Sequence, residues 1–190
     1  MKQIKTAVLM MIALTVITGV VYPLVVTGVA QVLFPKQANG SLIEHGERIA
    51  GSSLIGQGFT DPKYFWSRAS ATSPTGYNGA ASSGSNQGPL APAFEEAVAG
   101  RVKALVDADP EHRSPVPVDL ATASGSGLDP HVSPAGARYQ VARVARARGV
   151  DAKAVQQLVE QHTEGRQLGF LGEPRVNVLQ LNLALDALQP

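Results

Sequence analysis

The sequence predicts an α+β protein in which one N-terminal transmembrane helix precedes a single compact extracytoplasmic domain with short strands and three to four helices. Residues 6–35 form a run of 30 without a charged side chain, and 21 of them are apolar. The chain after position 35 is about 39% apolar and 19% charged, which is ordinary globular composition. We therefore divide the chain into an N-terminal segment, residues 1–35, and a soluble α+β domain, residues 36–190.

The first element is a membrane helix over about residues 7–34. An unbroken helix across the uncharged run is roughly 45 Å long, more than the ~30 Å hydrocarbon core of a bilayer requires. The alternative is a cleaved secretory signal, with Lys2 and Lys5 as its basic region and residues 28–30 as a small-residue cleavage site. Because the apolar stretch is about twice the usual length in such signals, we favour a retained single-pass anchor.

The charges at the two ends of this helix predict its orientation. Lys2, Lys5 and the amino terminus lie before it, whereas Lys36 is followed by Glu44 and Glu47. Cytoplasmic flanks carry the excess of positive charge, so we expect a cytoplasmic N-terminus and an extracytoplasmic C-terminal domain, anchored in a bacterial inner membrane.

Small or kinking residues recur at intervals of four along the helix. They are Thr15, Gly19, Pro23 and Thr27. Such a stripe allows another helix to approach closely, because helices in lipid associate through packing. We interpret it as a surface for a partner's membrane helix; the alternative is chance, since threonine and glycine are common in membrane spans.

The domain begins with residues 37–57, where apolar doublets alternate with glycines in a pattern typical of short strands and turns. The aromatic residues Phe59, Tyr64, Phe65 and Trp66 follow. We expect them to nucleate a small core, the alternative being an exposed contact surface.

From Ser67 to Pro92 the chain is rich in Ser, Ala, Gly, Asn and Pro, and Arg68 carries its only charge. Loops of this length are usually functional or disordered, and the composition favours an ordered, neutral surface loop. Hydroxyl and amide groups suit protein contact or weak cation coordination better than acid–base chemistry. The side chains predicted to contact a partner are Asn78, Ser82, Ser83, Ser85 and Asn86.

Helices are predicted over most of the remainder. Pro92 begins one that runs to about Val106, and Val116–Leu120 alternates as a short strand. Ser133 caps a helix that Gly149 ends, with Ala137, Val141, Val144 and Ala145 facing a core and Arg138, Arg143 and Arg146 facing water. Asp151 caps the next helix, which ends before Gly165. Residues 177–188 fit a strand or a helix, and Asn177 with Gln180 favours a helix.

Candidate catalytic chemistry is sparse. A hydrolase would use Ser124 or Ser126 with His131 and either Asp119 or Asp129, but proximity in sequence is no evidence of triad geometry. The glycine turn of Ser124, Gly125, Ser126 and Gly127 precedes a helix and is a weak candidate for nucleotide contact, although it lacks the lysine of a phosphate loop. A turn at the start of a helix is the simpler interpretation. We assign no catalytic residue.

The composition excludes several other classes. A net charge of +1 with scattered basic residues gives no nucleic-acid footprint. The absence of cysteine excludes a disulfide scaffold, thiolate zinc sites and a cysteine nucleophile. The four histidines lack a second ligand at metal-binding spacing, so we expect no metal site.

Several longer strings resemble one known family. The most specific are VPVDLATASGSGLDPHVSPAGARYQVARVARARG at 116–149 and LGEPRVNVLQLNLALD at 171–186. YPLVVTGVAQVLFP at 22–35, SLIGQ at 53–57 and SGSNQGP at 83–89 add to them in the same order. Together they resemble the C subunit of the Kdp-type potassium-transporting ATPase, the KdpC family. Residues 66–70 and 83–84 differ mildly from the family pattern and carry no assigned chemistry.

The resemblance implies an accessory subunit of a bacterial inner-membrane complex that uses ATP to import potassium with high affinity. The implied partners are a channel-like potassium-binding subunit, a P-type ATP-hydrolysing subunit and the lipid bilayer. The implied role is in assembly and activity, either as a catalytic chaperone for ATP use or as an extracytoplasmic cap near the ion entrance. The resemblance implies no tightly bound cofactor, and any effect of ATP comes through the complex. The alternatives from the residues themselves are an anchored extracytoplasmic solute-binding module and the Ser/His/Asp hydrolase.

Overall fold

The computed structural model describes residues 2–188, and chain contacts divide the protein into two compact units, Met1–Leu42 and Ile43–Pro190. The sequence places the division at 35/36, a few residues earlier. The difference arises where the short helix α3 (Pro35–Ala38) follows the membrane helix and Asn39 hydrogen-bonds Gln31 through both side-chain amides.

The first unit consists mainly of one long apolar helix. It comprises α1 (Lys2–Val16), a π-helical turn (Ile17–Val21) and α2 (Tyr22–Leu33). Its 32 residues span about 48 Å at 1.5 Å per residue, and none of its side chains is buried. Among residues 2–188 it is the one helix long and apolar enough to cross a membrane, and it fits a single-pass anchor.

The π-turn has a local cause. Pro23 has no N–H to donate and its ring would crowd the carbonyl four residues earlier, that of Gly19. Widening the preceding turn relieves this conflict, and Tyr22 N–H donates to the Ile17 carbonyl five residues back. The helix therefore continues past an internal proline.

The second unit contains the predicted strands and helices in order, with one exception, and three further short strands that the sequence does not predict. The predicted strands near 37–57 are β1 (Leu42–His45) and β2 (Arg48–Ser52), which form a two-stranded sheet. The other elements are α4 (Pro92–Ala108), α5 (Val118–Ala121), β3 (His131–Val132), α6 (Pro134–Arg148), α7 (Ala152–Gln161), β4 (Thr163–Glu164), β5 (Arg175–Asn177) and α8 (Val178–Ala187).

The exception is Val116–Leu120, whose prediction as a strand is wrong. Val118–Ala121 forms a single helical turn, in which Leu120 and Ala121 both donate to the Pro117 carbonyl. Leu120 and Ala121 are both buried although they are adjacent, which a strand with one buried face would not allow.

A three-stranded antiparallel sheet has the strand order β3-β5-β4. It places the string 116–149, which contains β3, beside the string 171–186, which contains β5. His131 lies opposite Asn177, and Val176 lies between Val132 and Thr163. The predicted helix at the C-terminus is confirmed as α8, where the Asn177 side chain accepts from Gln180 N–H at 3.1 Å.

The core lies between this sheet and helices α6, α7 and α8. Its fully buried side chains include Phe65, Val144, Val155, Val176 and Leu181. Phe59 and Trp66 pack against it half-buried, which confirms the predicted aromatic nucleus.

Helix α6 begins and ends as predicted, but one of its faces differs. Ser133 Oγ accepts from Gly136 N–H at 2.9 Å, and Gly149 ends the helix with a left-handed φ of 66°. Arg138 and Arg146 are exposed, whereas Arg143 is only 4% exposed, so its predicted position in water is wrong. Its guanidinium stacks 4.3 Å from the Trp66 ring and donates to the Pro62 carbonyl.

Candidate functional site

The polar loop 67–92 and the glycine turn 124–127 form one surface, which we call the loop–turn surface. Ala69 and Ala123 form a parallel bridge, and Ser124 N–H donates to the Ala69 carbonyl at 2.9 Å. Ser70 Oγ donates to the Gly127 carbonyl at 2.6 Å. Two segments with separate predicted roles are therefore neighbours, although Ala69 and Ala123 lie 54 residues apart in the sequence.

The second half of the loop lies against the same turn. Ser83 N–H and Ser82 Oγ both donate to the Ser126 carbonyl, each at 3.0 Å. A Cβ added at Gly84 would lie 2.7 Å from the Gly125 carbonyl oxygen, so the close approach requires glycine at position 84.

The predicted partner-contact residues divide into two groups. Ser82, Ser83, Ser85 and Asn86 are exposed. Asn78 is half-buried, and its amide holds the loop together by accepting from Ala80 N–H at 3.0 Å and donating to the Ser73 carbonyl. The first four present neutral polar groups outward, and their contact with a partner stays a prediction.

The glycine turn uses its own serines to bind its backbone. Ser124 Oγ accepts from Gly127 N–H at 3.0 Å and Ser126 Oγ accepts from Leu128 N–H at 3.1 Å. A phosphate at such a turn needs backbone N–H groups of this kind. Strand β3 also separates the turn from the start of α6. Nucleotide contact at Ser124, Gly125, Ser126 and Gly127 stays a prediction, and this geometry gives it no support.

The structure brings two residues of the hydrolase alternative together, His131 and Asp129, but among the residues it describes it does not join the serines to them. Asp129 Oδ1 accepts from His131 N–H at 2.9 Å and lies 3.3 Å from His131 Nδ1, while Asp119 Oδ2 accepts from Ser133 N–H at 2.7 Å. Among residues 2–188, no hydrogen bond links Ser124 or Ser126 to His131. The arrangement therefore supplies no nucleophile activated by a base.

Asp129 is the most perturbed acid of this region. Burial by itself would raise the pKa of its carboxyl group, but hydrogen bonds from His131 and Arg68 outweigh burial and lower the pKa to about 2. The Arg68 guanidinium lies 2.8 Å from Asp129 Oδ2. Asp129 is therefore an anionic brace between the loop and strand β3.

Next to this brace lies a cleft of about 400 Å³, lined by residues of the two most family-specific strings and by Arg68. Its charged or titratable lining residues are Arg68, Asp119, Asp129, His131, Glu173 and Arg175. Arg68 pairs with Asp129, Arg175 with Glu164 and Arg166 with Glu173. Most of these charges are therefore paired within the domain, whereas Asp119 accepts a backbone N–H from Ser133 and Arg68 Nε is buried without a hydrogen-bond partner. Within the described part of the chain, no group of three or more His, Asp or Glu side chains is placed to hold a metal ion.

Sequence reasoning missed Arg68, Glu173 and Arg175 as members of this cleft. The signal for Arg68 is its position as the single charge in a neutral loop, and the signal for the other two is the GEPR string. Neither of the two family-specific strings indicates that the other lies beside it. Their proximity comes from the pairing of β3 with β5, which the sequence does not reveal.

The stripe on the membrane helix lies in the first unit. Thr15, Gly19, Pro23 and Thr27 are all exposed, and nothing lies within 4 Å of a Cβ added at Gly19. An α-helix has 3.6 residues per turn, so a stride of four drifts by about 40° per step. The π-turn has more residues per turn, which keeps this stripe closer to one face.

Comparisons with known proteins identify the family. A family model described as KdpC, the c chain of K+-transporting ATPase, matches residues 4–187. The KdpC subunit of the potassium-transporting ATPase of Methylococcus capsulatus is 64% identical over 185 residues, 97% of each chain. Those of Herpetosiphon aurantiacus and Geobacter sulfurreducens are 63% and 58% identical over 97% and 100% of this chain, and over 96% and 100% of their own. The chain therefore belongs to the KdpC family, the c subunits of potassium-transporting ATPases.

Proposed function

We propose that this KdpC subunit is a non-catalytic accessory subunit that supports assembly and activity of the potassium-transporting ATPase through contacts. The observation that carries the proposal is the helix Lys2–Leu33, which is apolar on all sides and has no buried side chain. A helix that is apolar all round requires lipid or other helices around it.

The first contact in this proposal lies in the membrane. The stripe of Thr15, Gly19, Pro23 and Thr27 lets a membrane helix of a partner approach closely, which gives packing in an environment without a hydrophobic driving force. The partners are the channel-like potassium-binding subunit and the P-type ATP-hydrolysing subunit.

The second contact lies outside the membrane. The exposed residues Ser82, Ser83, Ser85 and Asn86 of the loop–turn surface meet the partner's outer surface near the ion path. Braces at Ser70 and Asp129 hold this surface in one arrangement, which reduces the ordering entropy that binding would cost.

The effect on ATP in this proposal is indirect. With the N-terminus in the cytoplasm, the domain lies on the other side of the inner membrane from cytoplasmic ATP. A chaperone effect on ATP use then passes through the membrane helices, as a shift in the conformational equilibrium of the complex. Direct nucleotide contact at residues 124–127 would require the opposite orientation, with the domain in the cytoplasm.

The test of the first contact uses two glycines of the same helix. Gly19 lies on the stripe and Gly28 lies off it, and neither has an atom within 4 Å of an added Cβ. We expect Gly19→Leu to reduce recovery of the other subunits with a tagged chain roughly fivefold, the factor that corresponds to about 1 kcal/mol of helix packing. Gly28→Leu should leave recovery near that of the unmodified chain. Equal recovery with both variants would contradict the proposal.

A further inference from the structure

The turn between β4 and β5 ends in three exposed apolar side chains. Leu168 is 82% exposed, Phe170 is 68% exposed and Leu171 is 46% exposed. We call these three residues the knob. Single exposed apolar residues are ordinary on a protein surface, whereas exposed apolar groups that lie together are a feature of protein and membrane contact sites.

The backbone of the turn adds an independent observation. Phe170 N–H donates to the Gln167 carbonyl at 3.2 Å, and Leu168 and Gly169 between them have φ values of 52° and 82°. Two positive φ values in succession are typical of type I′ turns, whose first central position favours Asn, Asp or Gly. Leucine is costly there, and a residue kept in a strained conformation at full exposure indicates a role in contact.

The charges beside the knob are paired within the domain. Arg166 Nη2 donates to both carboxylate oxygens of Glu173, at 2.8 and 2.7 Å, and Arg175 pairs with Glu164 at 2.9 Å. The bridge between Gln167 and Leu171 closes the base of the turn. The knob is therefore an apolar tip on a base whose charges cancel.

This charge balance distinguishes two occupants. A surface of anionic lipid headgroups attracts unpaired Lys and Arg side chains, and residues 165–173 offer only the paired Arg166. An uncharged apolar groove on a protein matches both the apolar tip and the neutral base. Aromatic residues, phenylalanine included, are also enriched in the buried centre of protein interfaces.

We propose that the knob inserts into an apolar, uncharged groove on another subunit of the potassium-transporting ATPase complex. The inference rests on the proposed contact role but uses a surface separate from the membrane stripe and the loop–turn surface. Three side chains are too few for a whole interface. They suffice as an anchor, because tethering through the membrane helix raises the effective concentration of the knob at its groove.

The first experiment removes the apolar character of the knob without straining the turn. The variant Leu168→Asn/Phe170→Ser is expressed as a tagged full chain together with the other subunits, and their recovery in mild detergent is measured. The control is Val118→Ser, since Val118 is 76% exposed in helix α5, outside both the knob and the loop–turn surface. We expect a several-fold loss of recovery for the knob variant and none for the control. The Tm of the variant chain should be unchanged or higher, because asparagine suits the left-handed conformation.

The outcomes separate this inference from the proposed function. Full recovery with the knob variant overturns the inference. If Gly19→Leu then still reduces recovery, the proposed function stands without the knob. If neither substitution affects recovery, both fail.

A second experiment identifies what covers the knob. The chain has no cysteine, so Gln167→Cys carries one fluorophore beside the knob when the chain is labelled before it is combined with the other subunits. Shielding from aqueous iodide without quenching by brominated lipids supports a protein groove. Quenching by brominated lipids, or iodide access equal to that of the isolated chain, overturns the proposal.

Discussion

At the residue scale, Asp129 connects three parts of the domain that are far apart in sequence. It accepts hydrogen bonds from Arg68 in the polar loop and from His131 at the start of β3, and it lies two residues after the glycine turn. Its side chain is 27% exposed, so water screens these interactions only in part. The carboxylate form is therefore the stable form in the folded domain.

This environment predicts how stability depends on pH. The folded pKa of Asp129 is about 2, below its ordinary value of 3.8, so the ionised group stabilises the fold above about pH 4. That stabilisation is lost as the pH falls through about 2. We expect Asp129→Asn to lower the free energy of unfolding at pH 7 by about 2 kcal/mol, with the difference from the unmodified chain shrinking between about pH 4 and 2.

The measurement is denaturant unfolding of the full chain in detergent, followed by circular dichroism at several pH values. Asp107→Asn is the control, because Asp107 pairs with Lys103 at the surface and its side chain is 61% exposed. The control should change the free energy of unfolding at pH 7 by less than about 1 kcal/mol. A difference between Asp129→Asn and the unmodified chain that stayed constant down to pH 2 would contradict the assignment.

Arg143 shows where residue-level prediction fails. Helical spacing groups it with Arg138 and Arg146, and long charged residues on a helix usually face water. In the structure burial lowers the pKa of its guanidinium to about 10, while Trp66 stacking and hydrogen bonds to Gln140 and Pro62 compensate for the lost water. Its partners precede it by as many as 81 residues, and helical periodicity contains no information on contacts of that range.

At the element scale, local signals predicted the helices well. Ser133, Asp151 and Asn177 each cap a helix through a side-chain oxygen that accepts a backbone N–H, as their residue types predict. The Val116–Leu120 prediction failed because alternation over five residues is a weak signal. Pro115 and Pro117 flank Val116 and cannot donate to a strand ladder. Leu120 is buried in the core, and the segment that contains it forms a helical turn.

The loop 67–92 also shows that local sequence signals predict an element but not its long-range contacts. Its polar, neutral composition predicts a surface loop, and the exposure of Ser82, Ser83, Ser85 and Asn86 agrees. Its association with the glycine turn depends on single carbonyl groups, such as that of Ser126, which composition cannot predict. The element is therefore predictable, whereas its partner within the domain is not.

A point substitution tests the loop more sharply than a deletion, because deleting residues 76–84 would also remove the anchoring contacts of Tyr77 and Ser83. Ser85→Arg adds a long cation at the exposed face, where an uncharged polar partner surface would have to desolvate it. We expect weaker recovery of the complex or a lower apparent affinity for potassium in transport. Ser114→Arg makes the same change at another exposed serine and should have no effect. Wild-type recovery and transport with Ser85→Arg would exclude this face from the interface.

At the scale of the whole molecule, the sequence predicts two units in different surroundings, a helix in lipid and a domain in water. The helix Lys2–Leu33 has no core of its own, whereas the domain buries Phe65, Val144 and Leu181 completely. Composition alone predicts this division, because an uncharged run of 30 residues stands out against an ordinary globular remainder. The side of the membrane on which the domain lies depends on a few charges, and it determines whether the domain meets ATP.

Cysteine labelling tests the predicted orientation directly, because the chain contains no cysteine of its own. Ser114→Cys places a thiol on the exposed surface of the domain, and Gln3→Cys places one near the N-terminus. The lysine bias predicts that a membrane-impermeant maleimide labels Ser114→Cys in intact spheroplasts and labels Gln3→Cys only after permeabilisation. The reverse pattern would place the domain in the cytoplasm. The proposed contacts near the ion entrance would then fail, and the turn at Ser124–Gly127 would become the first place to test for nucleotide contact.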